Sequence, residues 1–136
     1  MQVIETLFDT DRHHIHLEIT VKNSSGIEYS LDAILDTGAP ATEFSDQFLS
    51  FTGFIDFPDQ TIQIKPGFQS QKYEKIIMPE IKICGRVLND FNVYVSQFDD
   101  SWGIDALIGL DFFRKFNVEI DYSRGSIKTK KFEMHI

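Results

Sequence analysis

Leu31-Asp32-Ala33-Ile34-Leu35-Asp36-Thr37-Gly38-Ala39-Pro40-Ala41-Thr42 is the stretch on which the fold turns. Its first half continues an alternating strand, but Ile34 makes the second face apolar too. Ala33-Ile34-Leu35 therefore reads as a strand buried on both sides. A carboxylate at the end of such a strand is costly unless the loop satisfies it. Gly38 allows a tight turn with its N–H aimed at Asp36, and the Thr37 hydroxyl can reach a neighbouring loop. Ala39 leaves the space in front of the acid open. The segment suits a positioned, reactive aspartate; a plain turn or capping Asp is the alternative, since Asp and Gly both favour turns.

Upstream, Ile15, Leu17, Ile19 and Val21 alternate with polar residues, Asn23-Ser24-Ser25-Gly26 supplies a turn, and Ile27 to Leu35 resumes the period. This is a β-hairpin. Downstream, residues 44–60 are aromatic-rich without a clear period and read as loop with a short turn of helix. Ile62 and Ile64 lead to Pro66-Gly67, a turn pair, and a polar run leads out to Ile76-Ile77-Met78, giving a second hairpin with an exposed tip. Ile81 and Ile83 pair across Cys84-Gly85-Arg86 with Phe91, Val93 and Val95. Ala106 to Phe116 opens as a buried strand and closes as a short helix with Leu110 and Phe113 on one side. Val118, Ile120 and Tyr122 turn at Ser123-Arg124-Gly125, and Phe132, Met134 and Ile136 alternate to the end. About eight strands and one short helix predict an all-β barrel or sandwich.

The chain has 136 residues, the size of one domain, and its 42% hydrophobic and 25% charged content excludes a disordered tail protein. Thirteen Lys and Arg against 21 Asp and Glu leave a net charge of −8, which argues against nucleic-acid binding. Lys128-Thr129-Lys130-Lys131 is too short a basic run to reverse that and reads as a solvated terminal strand. No stretch approaches the roughly 20 apolar residues of a membrane span. Met1-Gln2-Val3-Ile4-Glu5 lacks the pattern of a secretory leader. Cys84 is the only cysteine, so a reducing, cytoplasmic setting is expected.

The segment from Leu31 to Thr42 resembles the active-site segment of the retropepsin-like aspartic proteases. Ile104-Asp105-Ala106-Leu107-Ile108-Gly109-Leu110-Asp111-Phe112-Phe113 resembles the paired apolar-apolar-Gly element of that family, which leads into its helix. Phe116 to Asp121 is similar to the strand that follows, and the Pro66-Gly67 hairpin corresponds in order to the family's flap. Two motifs in order with a hairpin between them span roughly Ile15 to Ile127. The chain is nearer to cellular and bacterial members, such as the protease domain of DNA-damage-inducible ubiquitin shuttle proteins, than to viral ones. Viral members pair an acid after the Ala with an Arg after the second Gly; here these positions are Pro40 and Leu110, so neither charge is left unpaired. Glu43 stands where the family usually has an aliphatic residue, a departure that the sequence does not explain.

The resemblance implies a single retropepsin-like domain over 1–136, a single-lobe acid-protease barrel with a flap hairpin and one short C-terminal helix. It implies an aspartic endopeptidase without metal or cofactor, acting on polypeptides. Such chemistry needs two carboxylates sharing a proton. Asp105 and Asp111 flank the second motif but lack a following Thr-Gly or Ser-Gly, so the second acid must be Asp36 of another copy, in a homodimer. In that arrangement Thr37 locks the two loops, Gly38 holds substrate backbone with its carbonyl, and Ala39, Pro40, Gly67, Phe68 and Ile108 contact substrate. The terminal Phe132, Met134 and Ile136 would pair with their symmetry mates or close their own barrel.

Two other functions compete. A silent retropepsin-fold module could bind an extended peptide by strand addition or serve only to dimerise. An actin-like nucleotide hydrolase also places Asp-x-Gly after a strand, but it needs two large α/β lobes that this chain lacks the length to build. His13, His14 and His16 could suggest a metal, yet no Cys or further His lies near in sequence, and solvent-facing strand residues are the simpler account. Trp102, just before the second motif, lines a substrate pocket or has a core or lid role. Cys84 has no expected role.

Overall fold

Alternation places Leu17, Ile19 and Val21 inside and Glu18 and Thr20 outside, and the computed structural model, which describes residues 2–56 and 71–132, shows that pattern. Strand β2 (His16–Lys22) pairs antiparallel with β3 (Glu28–Leu35), from His16 opposite Ile34 to Lys22 opposite Glu28. Asn23 closes the hairpin: its side chain accepts from the N–H groups of Ser25 and Ile27, and Gly26 takes the positive φ of 82° that the turn requires.

A six-stranded closed barrel follows, in the order β2-β3-β7-β4-β6-β5. Strand β7 (Ala106–Ile108) runs parallel to β3 and antiparallel to β4 (Glu43–Ser45), and β4 runs parallel to β6 (Arg86–Gln97). The β5 (Gln71–Ile83) and β6 hairpin turns at Cys84-Gly85, and β5 returns to β2 to close the ring. Closure leaves the barrel no free edge. Outside it lies a three-stranded antiparallel sheet in the order β1 (Val3–Leu7), β9 (Ser126–Lys131), β8 (Phe116–Asp121). Two short α-helices occur among the described residues, α1 (Asp46–Phe51) and α2 (Leu110–Phe113).

The core is one continuous cluster in which barrel residues such as Leu17, Phe44, Met78, Ile83 and Ile108 meet Phe112, Phe116 and Ile127 from α2 and the outer sheet. A second, smaller cluster of Ile34, Phe98, Ile104 and Leu107 lies on the opposite face of β3 and β7. Ile34 is thus buried on the face opposite to Ala33, as its strand predicts.

Several elements differ from the reading of the sequence. Residues 43–51 form β4 and α1; β4 is buried on every side chain, which erases any period, and Ser45 caps the helix by accepting from the Phe48 N–H. Ile76 to Ile83 is one continuous strand rather than parts of two, with Pro79 inside it and Asp90 of the partner strand at φ 54°. The helix after Gly109 buries Phe112 and Phe113, and Leu110 stays half-buried. The last strand among the described residues is β9, ending at Lys131, and it is central: β1 covers one side and β8 the other. Lys128 to Lys131 is accordingly not a solvated run, since Thr129 between the lysines is fully buried. Met134 and Ile136, and the hairpin tip with Gly67 and Phe68, lie outside the described residues.

Candidate active site

Because β7 lies between β3 and β4, the loop that joins those two strands, residues 36–42, crosses the end of β7. Asp36 starts this loop. Its N–H donates to the Ile108 carbonyl at 2.8 Å, which continues the β3–β7 ladder by one bond beyond the strands. Its Oδ1 accepts from the Gly38 N–H at 3.0 Å, and the Ala39 N–H donates to its carbonyl at 3.1 Å. The carboxylate is half-buried, Thr37, Gly38 and Pro40 are exposed, and Ala39 is nearly covered at 9%. Asp36 is therefore fixed by bonds to its own loop and to β7, and it sits half-buried at the start of a loop whose next two residues are exposed.

The second motif supports this loop from below. Gly109 has an ordinary extended backbone, so its glycine is required by proximity: a Cβ there would lie 2.7 Å from the Ala41 carbonyl and 2.8 Å from that of Ala39. The Leu110 N–H donates to the Ala39 carbonyl at 2.8 Å. Thr42 then ties the two motifs together. Its N–H and hydroxyl donate to the two oxygens of Asp111, at 2.9 and 2.7 Å, and its hydroxyl accepts from the Gly109 N–H at 3.1 Å. Pro40 and Leu110 carry no charge, and the loop is held by backbone bonds and by this Thr–Asp clasp.

The expected site residues are thus partly brought together. Asp36, Thr37, Gly38, Ala39 and Pro40 form one loop. Ile108 reaches that loop only through its carbonyl, because its side chain is 0% exposed in the barrel core and lines no cleft. Gly67 and Phe68 lie outside the described residues. Of the acids flanking the second motif, Asp111 is committed to Thr42. Asp105 sits beside Asp32 before β7, and burial together with that like charge holds its carboxyl above the usual aspartate range.

Glu43, unexplained by sequence, is buried in β4, where Oε1 accepts from the Ser96 hydroxyl at 2.9 Å and Oε2 lies 3.8 Å from the Lys72 ammonium. Next to it, Asp46 accepts from the Tyr73 hydroxyl at 2.9 Å. Two buried acids of the β4–α1 segment thereby hold the first residues of β5. Neither link shows in the sequence, since Asp46 and Tyr73 are 27 positions apart and Glu43 and Lys72 no nearer.

The remaining candidates have structural partners. His16 shares a hydrogen bond of 2.9 Å with Asp32 and is only 14% exposed, so it is not the solvent-facing residue expected; His13 and His14 are exposed and precede the strand. No group of three or more His, Cys, Asp or Glu placed to hold a metal occurs among the described residues. Trp102 packs on Phe98 at 5.3 Å, against the smaller core cluster. No helix among the described residues is long and apolar enough to cross a membrane.

No family model matches the chain, and no curated protein matches it. Solved structures do. A retropepsin-like aspartic protease from Rickettsia conorii superposes with a TM-score of 0.63 at 18% identity, covering 94% of this chain and 90% of that one. The retroviral protease-like domain of Ddi1 from Leishmania major gives 0.57 at 16% identity, covering 88% of this chain and 94% of that one. Identities this low speak to architecture alone. The chain has the all-β retropepsin-like fold, as its two motifs predict.

Proposed function

Taking the retropepsin-like fold as the premise, we propose that this chain is a single-domain aspartic endopeptidase, active as a homodimer with one Asp36 from each subunit at the two-fold axis. The observation that carries the reading is the state of Asp36: a half-buried carboxylate at the start of an exposed loop, oriented by Gly38 and anchored to Ile108. A lone carboxylate cannot both take a proton from water and polarise a carbonyl. The other acids of the second motif are engaged elsewhere, Asp111 by Thr42 and Asp105 beside Asp32. A second copy is the economical source of the partner acid.

In that dimer two carboxylates about 3 Å apart share one proton, because both cannot ionise at that distance. The ionised member takes a proton from water as the water oxygen attacks the scissile carbonyl carbon. The protonated member donates to the carbonyl oxygen. Collapse of the tetrahedral intermediate breaks the C–N bond and sends a proton to the leaving amine. Thr37 braces the paired loops, the Gly38 carbonyl accepts from substrate backbone, and Ala39 and Pro40 border the cleft with Gly67 and Phe68. Ile108 positions Asp36 through its carbonyl. A lone, buried thiol suits work in a reducing, cytoplasmic compartment.

The test is incubation with a diverse peptide library from acidic to neutral pH, comparing the wild type with Asp36→Asn, alongside light scattering after size exclusion. Cleavage by the dimeric wild type and none by Asp36→Asn supports the reading. A wild type that binds peptides and never cuts them would make the chain a binding module; a strict monomer at high micromolar concentration counts against the shared site.

A further inference from the structure

Arg86, at the start of β6, is 7% exposed and has no ion pair among the described residues. Its guanidinium is held by neutral groups only. Nε donates to the Thr129 hydroxyl at 3.0 Å, and Nη2 donates to the carbonyls of Thr129 and Gln2 at 2.8 and 3.1 Å. Its central carbon lies 5.2 Å from the centre of the Phe116 ring. Three of its five N–H groups are thus used, and the two on Nη1 have no partner among the described residues. A buried cation without a counter-charge is costly unless an anion completes it.

Arg86 opens onto a cavity of about 510 Å³, the size range of small-molecule sites. Lys115 and Lys131 line it too, and no carboxylate among the described residues does. Neither lysine has an ion-pair partner among the described residues. Ile4, Leu88 and Phe116 supply an apolar wall. Three cations thus converge on one concavity of a chain whose net charge is −8, which points to a site rather than to a general basic surface.

From the unused Nη1 edge, the paired lysines and the apolar wall, we infer that this cavity binds a small amphiphilic oxyanion, a carboxylate or phosphate head on an apolar body. The head meets Arg86, Lys115 and Lys131, and the body lies along Ile4, Leu88 and Phe116. Arg is suited to such heads because its planar fork offers paired, charge-assisted donors. The site is remote from Asp36. Tyr94, whose N–H donates to Thr42 in the Asp36 loop, is eight residues along β6 from Arg86, about 26 Å at 3.3 Å per residue. The inference therefore stands whether or not the chain cleaves peptides.

The test is titration of the full chain with octyl phosphate, octanoate and inorganic phosphate, followed by calorimetry and by amide shifts. The two alkyl anions separate a phosphate head from a carboxylate head, and inorganic phosphate separates a head alone from an amphiphile. Saturable binding of at least one alkyl anion is expected, at least tenfold tighter than inorganic phosphate, with shifts centred on Gly85 to Leu88. Lys115→Gln with Lys131→Gln, both at exposed positions, should weaken it at least tenfold while leaving the thermal midpoint near the wild type. Arg86→Lys keeps the charge but loses the fork and should weaken it as well. Absence of saturable binding by all three anions overturns the site. So does binding that the double lysine variant leaves unchanged. Inorganic phosphate as tight as both alkyl anions overturns the amphiphilic assignment.

Discussion

The Thr42 hydroxyl stands midway between the two motifs, donating to Asp111 Oδ1 at 2.7 Å and accepting from the Gly109 N–H at 3.1 Å. Apart from the Thr42 N–H bond to Asp111 Oδ2, the other contacts described between the Asp36 loop and β7 and α2 are backbone bonds or close approaches of backbone. This hydroxyl is the one side-chain group on the loop that reads both the end of β7 and the start of α2.

Replacing Thr42 by Val keeps its shape and removes that hydroxyl, leaving the buried Gly109 N–H without an acceptor. A loss of about 1–3 kcal/mol is expected, the cost of an unsatisfied buried group. Thr42→Ser keeps the hydroxyl, gives up one methyl, and should lose about 1 kcal/mol. Urea unfolding midpoints decide it: equal losses in both variants would mean that packing, not the hydrogen bonds, makes Thr42 matter.

Gly109→Ala should destabilise by about 1–3 kcal/mol through overpacking, since its new Cβ meets backbone atoms at 2.7 and 2.8 Å that cannot swing aside as a side chain would. The loop must lift for the methyl to fit, so Asp36 moves with it. Unfolding curves and a backbone amide spectrum would show both effects, with shifts concentrated in residues 36–42. An unperturbed spectrum at wild-type stability would remove the proximity argument.

Gly38→Ala separates stability from chemistry. Its Cβ would lie 3.2 Å from Asp36 Oδ1, close enough to press the carboxylate aside, and the position carries no positive φ to add backbone strain. Stability should therefore change by under about 1 kcal/mol. If Asp36 performs the cleavage proposed above, kcat/KM should fall about ten- to hundredfold, because small misplacements of a reacting group are costly. Retained activity would show that the carboxylate tolerates the push.

How much of this was legible beforehand depends on where the deciding contacts lie in the chain. The β2–β3 hairpin is local and buried on one face, so its period of two and its Asn23 turn predict it closely. Strands β4 and β7 are buried on all their side chains, and such strands have no alternation to read. Strand β1 pairs with β9 more than 110 positions away, and a five-residue edge strand carries no turn signal of its own. At the site, Asp36 and Gly38 were visible because a local loop builds their geometry. The Thr42–Asp111 clasp spans 69 positions, and Glu43 looked anomalous until Ser96 and Lys72 came beside it. For Ile108 the motif names a position and not the direction of its side chain, which is buried in the barrel core.

Asp105 provides a test of the electrostatics on the outer face. Burial first and the Asp32 charge second raise its carboxyl above the ordinary aspartate value, so the folded chain binds that proton more tightly than the unfolded chain. Stability linked to this group is greatest when it is protonated and falls as pH rises from the unfolded to the folded value. Asp105→Asn removes the penalty that ionisation carries. The variant should melt above the wild type at pH 7, and the gap should close on acidification below the normal aspartate range. A gap that widens on acidification would reverse the sign and refute the account.

Cys84 reports on opening of the fold. Burial pushes its thiol up to about 11, against the smaller opposing effects of a Thr6 hydrogen bond and the Arg86 charge. At pH 8 a thiol of that kind is about one part in a thousand thiolate, and the thiolate is the species that attacks a disulfide reagent. The side chain is also only 4% exposed, so reagent must wait for the hairpin turn to open. Labelling by an aromatic disulfide reagent at pH 8 should therefore be at least about a thousandfold slower in the folded chain than in urea. Its rate should rise with denaturant in step with unfolding. Labelling within tenfold of a free thiol under native conditions would mean that the Cys84-Gly85 corner opens independently of the barrel.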